Sequence, residues 1–132
     1  FVQMTSGNDV TIIAAGSMVS RAMAAAALLG AKGASARVLN ATFIAPLDVA
    51  AIAKAARETR AIVTVEEANI AGGLGAAVAS VVVGLDAEAR VPLKIIGTDD
   101  WSPTLSTDSL YTHFGLTAEN IVASAQEVLS RD

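Results

Sequence analysis

The sequence has no cysteine in its 132 residues, which excludes disulfides and thiolate metal sites. It has one histidine, His113, and a lone imidazole cannot build a histidine-rich metal centre. Lysine and arginine together number nine, against thirteen aspartates and glutamates, for a net charge of −4. The nine are thinly spread, with no basic stripe and no basic run interleaved with aromatics. That distribution argues against nucleic-acid recognition. Long apolar runs are missing too. The best membrane candidate, 70–85, has sixteen uncharged residues and four glycines, short of the ~20 that a spanning helix needs. It reads instead as a helix buried against a sheet. The opening Phe1-Val2-Gln3-Met4 has neither the basic start nor the apolar core of a signal peptide. Since Phe1 is not an initiator, the expectation is a domain excised from a longer, cytoplasmic protein.

What the chain does have is apolar content. Hydrophobic residues make up 53% and the mean hydropathy is +0.54, while charged residues amount to 17%. One domain over residues 1–132 with a sizeable core is expected. So little charge on a small domain points to a surface covered by something else.

Val10 to Ala15, rich in β-branched residues, reads as a buried strand bounded by Asp9 and Gly16. Ser17 is expected to cap the next helix with its hydroxyl; that helix runs to about Leu29, and Gly30 with Gly33 ends it. Ser35 to Thr42 holds a second strand. Asp48 caps another helix, on which Val49, Ile52, Ala53 and Ala56 form one apolar face. Ala61 to Glu66 is a third strand, Gly72 to Val83 a helix, and Val91 to Gly97 a fourth strand. Apolar strands alternating with helices argue for a mainly parallel sheet covered on both faces, a three-layer α/β/α fold. Asp99 to Thr107 is a polar loop. Thr107 caps a short helix that Gly115 ends, and Thr117 caps the last helix, with Leu116 and Ile121 as its staple. Val2 to Thr5 is a further edge strand. Local rules pair it with Val10–Ala15 as a hairpin through Ser6-Gly7-Asn8-Asp9.

The candidate sites lie where strands end. In open α/β sheets ligands bind outside the carboxyl ends of the strands. Glu66 and Glu67 stand there, and paired carboxylates can divide acid and base work if their environments differ. Consecutive strand residues point to opposite faces, however. The structural alternative has them accepting backbone N–H bonds from the neighbouring loop, with Asn69, or from the next helix. Gly72 and Gly73, in Gly72-Gly73-Leu74-Gly75, could cradle a phosphate. The run lacks the Lys-Ser or Lys-Thr of a P-loop and is no G-x-G-x-x-G fingerprint; close approach of helix and sheet explains it as well. Gly16 and Ser17, with Arg21 one turn on, could hold an anion. Asp99, Asp100 and Trp101 could meet a cation or a partner. His113, beside Phe114, has no acid or nucleophile partner and reads as a surface residue.

Four stretches carry a resemblance. Asp9-Val10-Thr11-Ile12-Ile13-Ala14-Ala15-Gly16-Ser17 resembles the opening of the C-terminal domain of transketolases. Thr42-Phe43-Ile44-Ala45-Pro46-Leu47-Asp48 is similar to that family's exit from the second strand. Val63-Thr64-Val65-Glu66-Glu67 with Gly72-Gly73-Leu74-Gly75 is its most typical stretch. Phe114 to Val122, reading FGLTAENIV, matches its C-terminal signature. The resemblance runs from about Asp9 to Leu129. Deoxyxylulose-phosphate synthases and 2-oxo-acid dehydrogenase β subunits share the domain; the Phe-Gly-Leu-Thr ending favours transketolase.

The resemblance implies a five-stranded mixed sheet in which the first strand is antiparallel and does not neighbour the second, against the hairpin. It implies a parent, whole or split, that transfers a two-carbon ketol unit between sugar phosphates with thiamine diphosphate and Mg2+. Those cofactors sit between pyrimidine-binding and diphosphate-binding domains or subunits of a homodimer, and none is expected on this domain alone. Glu66 and Glu67 are therefore not assigned catalytic roles. Ala68 stands where many members have histidine, so no polar role is carried to that position. The expected function is assembly, at the contact with a neighbouring domain or the dimer mate. The alternatives are an anion- or nucleotide-binding regulatory module around Gly16, Ser17, Glu67 and Gly72, and a free-standing enzyme.

Overall fold

The computed structural model describes residues 1–131. Five strands, β1 (Val2–Thr5), β2 (Val10–Ala14), β3 (Ala36–Asn40), β4 (Ala61–Asn69) and β5 (Leu93–Thr98), form one sheet in the order β1-β3-β2-β4-β5. All pairs are parallel except β1 with β3. Five helices, α1 (Met18–Ala31), α2 (Val49–Glu58), α3 (Leu74–Gly84), α4 (Thr107–Phe114) and α5 (Ala118–Leu129), and a 3-10 turn at Ala87–Ala89 complete the elements among the described residues. No helix among the described residues is long and apolar enough to cross a membrane.

The central strand β2 and the first half of β4 are buried and mostly apolar because both faces are covered. Val10, Ile12, Val63 and Val65 pack with Met18, Leu29, Ile121 and Val128 from α1 and α5. Ile13, Leu39 and Ile62 pack with Ile52, Leu74 and Val78 from α2 and α3. Each of these aliphatic side chains contributes about 1.5–3 kcal/mol on full burial. The uncharged 70–85 stretch is accounted for here: α3 lies on the sheet with Leu74, Gly75, Val78 and Val82 buried.

The hairpin expected between β1 and β2 does not form. β1 pairs antiparallel with β3, Val2 opposite Asn40, because both edges of β2 are taken by β3 and β4. The chain crosses the start of β3 at Gly7, where a Cβ would overlap the backbone of Ala36 and Arg37. Asn8 N donates to Ser35 Oγ at 3.0 Å and Asp9 N to the Ser35 carbonyl at 3.1 Å, which fixes the crossing.

Four local readings shift. Ser17 is the residue before α1, but its hydroxyl makes no cap bond. Ser106, not Thr107, caps α4 by accepting from Ser109 N. The buried stripe of α2 is Ile52, Ala55 and Ala56, while Val49 is exposed. α3 begins at Leu74 because β4 runs on to Asn69. Asp48 and Thr117 cap α2 and α5 as read, and Gly115 ends α4 in the left-handed region at φ +69°.

The connection after β2 leads to α1 on one face, and that after the adjacent β4 leads to α3 on the other. The crevice where such connections diverge is where doubly wound sheets place ligands.

Candidate functional site

At the end of β4 the two glutamates part company. Glu66 is 2% exposed and points to the α3 face. Its Oε2 accepts from Leu74 N at 2.7 Å and its Oε1 from Gly75 N at 3.0 Å. Both donors are first-turn amides of α3 that have no partner within the helix, and the positive end of the helix dipole favours the carboxylate. A Cβ on Gly73 would land on that carboxylate. Gly72 turns the chain at φ +88°, a conformation that side chains resist. The glycine run thus encloses the protein's own anion. A diphosphate does not fit there, since Glu66 holds the amides that would bind it. Among the described residues no three His, Asp or Glu side chains gather as for a metal.

Glu67 is exposed and faces the other way. With Thr98, Asp100, Ser102, Leu110, Tyr111 and Phe114 it lines a depression of about 170 Å³ between the ends of β4 and β5 and helix α4. Tyr111 closes one side. Its hydroxyl lies 3.3 Å from Ser17 Oγ, long for two hydroxyls, and Arg21 stacks over its ring at 4.2 Å from the centroid. Arg21 is thus engaged with an aromatic face instead of waiting one turn beyond Ser17 for an anion. Gly16 makes the turn into α1 at φ +59°.

Asn69, Asp99, Asp100, Trp101 and Ser102 border a second hollow, of about 390 Å³. Asn69 Oδ1 accepts from Ala71 N at 2.8 Å, and Asp100 Oδ1 from Trp101 N at 2.7 Å. Trp101 is 93% exposed. His113 is exposed and meets Phe114 edge-on at 4.8 Å between ring centroids.

The fold therefore distributes the candidates over three places. Glu66 and Gly73 form a closed structural lock; Glu67 and Asp100 share the depression with Tyr111; Asn69, Asp99 and Trp101 ring the outer hollow. Sequence reasoning missed Tyr111 as the wall of the depression. Tyr111 lies with Leu110 and Phe114 on the short helix α4, but nothing local says that α4 folds back over Ser17.

The fold and the site define a class, a doubly wound α/β domain whose glycine turn is closed by an internal carboxylate. The chain belongs to the transketolase C-terminal domain family, whose profile, described as "Transketolase, C-terminal domain", matches residues 2–121. It is similar to the 6-deoxy-6-sulfo-D-fructose transketolase subunit SqwH of Clostridium sp. (strain MSTE9), 42% identical over 97% of this chain and 39% of that one. It is similar to an apulose-4-phosphate transketolase subunit of Phocaeicola vulgatus, 43% identical over 97% of this chain and 40% of that one. It is also similar to the 1-deoxy-D-xylulose-5-phosphate synthase of Heliobacterium modesticaldum, 43% identical over 98% of this chain and 20% of that one. Among solved structures, a split-gene transketolase described as an inactive beta4 tetramer superposes with a TM-score of 0.92 at 37% identity, over 98% of this chain and 42% of that one. The chain spans about two fifths of the transketolase subunits and one fifth of the synthase.

Proposed function

We propose that this chain is the C-terminal assembly domain of a transketolase that moves a two-carbon ketol unit between sugar phosphates with thiamine diphosphate and Mg2+. The cofactor and the chemistry belong to the pyrimidine- and diphosphate-binding domains or subunits of the dimeric parent. One observation carries the reading. The glycine turn that would serve as an anion cradle is filled by Glu66, through bonds of 2.7 and 3.0 Å to Leu74 N and Gly75 N. The same observation speaks against the regulatory reading, and the carboxylates of Glu67 and Asp100 on the neighbouring depression repel a phosphate further.

Two relatives that are transketolase subunits, with about 40% of their length matched, support transketolase as the parent activity. A thermal-shift panel on this chain tests the division of labour. Thiamine diphosphate with Mg2+, pentose and hexose phosphates, and nucleotides should each leave the melting temperature unchanged. A dose-dependent rise would mark a binder. With thiamine diphosphate it would relocate the active site; with a sugar phosphate or nucleotide it would establish a regulatory module. Ketol transfer by the parent polypeptide tests the activity itself.

A further inference from the structure

The two ends of the sheet differ in chemistry. At the carboxyl end of the parallel strands, the loops 41–48, 66–73 and 98–107 contain no lysine or arginine; Glu66 is buried, which leaves Asp48, Glu67, Asp99 and Asp100 toward the surface, with Arg21 of α1 engaged over the Tyr111 ring. The large apolar side chains Phe43, Ile44, Ile70, Trp101 and Leu105 stand exposed on the same loops, Phe43 at 70% and Trp101 at 93%, with Val49 just beyond. The loops at the opposite end, 6–9, 32–35, 58–60 and 85–92, expose no large apolar side chain. They mix Lys32, Arg60 and Arg90 with Asp9, Glu58, Asp86 and Glu88. Apolar anchors among mostly acidic side chains are the composition of a docking surface, and its partner carries the opposite sign.

The topology says what reaches that surface. Because β1 runs antiparallel and Val2 is registered with Asn40, the last residue of β3, any polypeptide ahead of β1 meets the domain at the carboxyl end, beside Phe43 and Ile44. About three fifths of each matched transketolase subunit lies outside the part that this chain matches. Strands stand about 4.8 Å apart, so the rim from β1 to β5 is roughly 20 Å across. A preceding domain, some tens of ångströms wide, spans it.

We infer that the carboxyl rim of the sheet is the seat of the preceding portion of the same polypeptide. Phe43, Ile44 and Trp101 are its apolar anchors. A lysine or arginine from that portion enters the depression between Glu67 and Asp100, against the faces of Tyr111 and Phe114. Two carboxylates over aromatic walls fit a cationic side chain, by charge and by ring quadrupole. This rests on the assembly role proposed above and names the partner surface for it.

The test is hydrogen exchange on the full parent polypeptide. The amides of 43–45, 102 and 104–106 at the rim should exchange at least tenfold slower than those of 86–88 in the far loops, since neither set donates a hydrogen bond within the described residues. Replacing Glu67→Lys together with Asp100→Lys, both exposed positions, should return 102–106 to the rate of those far loops. A Glu88→Lys control should change nothing. Equal exchange at the two rims, or a charge reversal without effect, would overturn the inference. Protection that vanishes when the parent is diluted to monomers would assign the rim to a second copy and overturn it as well. The readout does not depend on ketol transfer, so failure of the seat and failure of the activity are told apart.

Discussion

A side-chain carbon on Gly73 would occupy the space of the Glu66 carboxylate. The two residues, one within β4 and one preceding α3, are fitted to each other. The absence of a Cβ lets the carboxylate reach Leu74 N and Gly75 N.

Gly73→Ala should therefore destabilise by about 2–4 kcal/mol, since it displaces a buried carboxylate from two charge-assisted bonds. Urea unfolding of the variant measures it. A loss below about 0.5 kcal/mol would show that the turn relaxes and that the lock is unimportant.

Glu66→Gln keeps the shape but leaves an amide group facing one helix N–H. A loss of about 1.5–3 kcal/mol is expected from one charge-assisted bond and the helix-end interaction. Faster amide exchange at Leu74 and Gly75 should accompany it. A variant as stable as the parent sequence, with those amides still protected, would refute the role.

Thr64 and Thr11 make a matched pair. Thr64 Oγ1 is buried without a partner, whereas Thr11 Oγ1 lies 3.0 Å from Thr59 Oγ1. Thr64→Val should be neutral or stabilising by about 0.5–1.5 kcal/mol, because it removes a hydroxyl whose desolvation nothing offsets. Thr11→Val should cost about 1 kcal/mol. Thermal melts of both variants decide it, and the reverse ordering would sink the argument.

Asp9 ties three strand starts together. The backbone N–H of Ser35 at 2.7 Å, the Ser35 hydroxyl at 2.9 Å and Arg60 at 3.1 Å hold its carboxyl below the ordinary value of 3.8, the Ser35 amide most strongly. The folded chain thus binds this proton less readily than the unfolded one. The stability from Asp9 is fully present above the ordinary aspartate range and is lost as pH falls through the lowered value. Asp9→Asn should be less stable at pH 7 by about 1 kcal/mol, discounted for the exposed Arg60 pair, and should show a shallower acid decline. Urea midpoints at about pH 7, 4 and 2.5, which bracket the aspartate range, measure both. An unchanged acid slope would remove Asp9 from the account.

Much of the fold was legible because its signals are local. β-branched runs bounded by Asp9 and Gly16, or by Arg60 and Glu66, can satisfy their apolar side chains only between two helical layers. Thr117 and Gly115 are a cap and a stop whatever surrounds them. The divergence of Glu66 and Glu67 follows from strand periodicity, and Glu66's turn toward the helix amides is one of the readings that the sequence leaves open.

The rest depends on contacts far apart in sequence. Pairing of β1 with β3 is decided by which strand edges remain free, and no local rule sees that; Gly7 has turn chemistry, yet it is where the chain crosses β3. Ser17 has the chemistry of a cap but faces Tyr111, ninety-four residues on. Val49 has the spacing of a core residue, but α2 meets the sheet on another side. The sequence by itself determined the alternation of strands and helices, the caps at Asp48 and Thr117, the stop at Gly115 and the scarcity of charge, because these rest on propensity and composition. The tertiary structure decided strand order, the closing of the glycine turn by Glu66, and the gathering of Glu67, Asp100 and Tyr111. Those depend on which surfaces meet once the sheet is assembled.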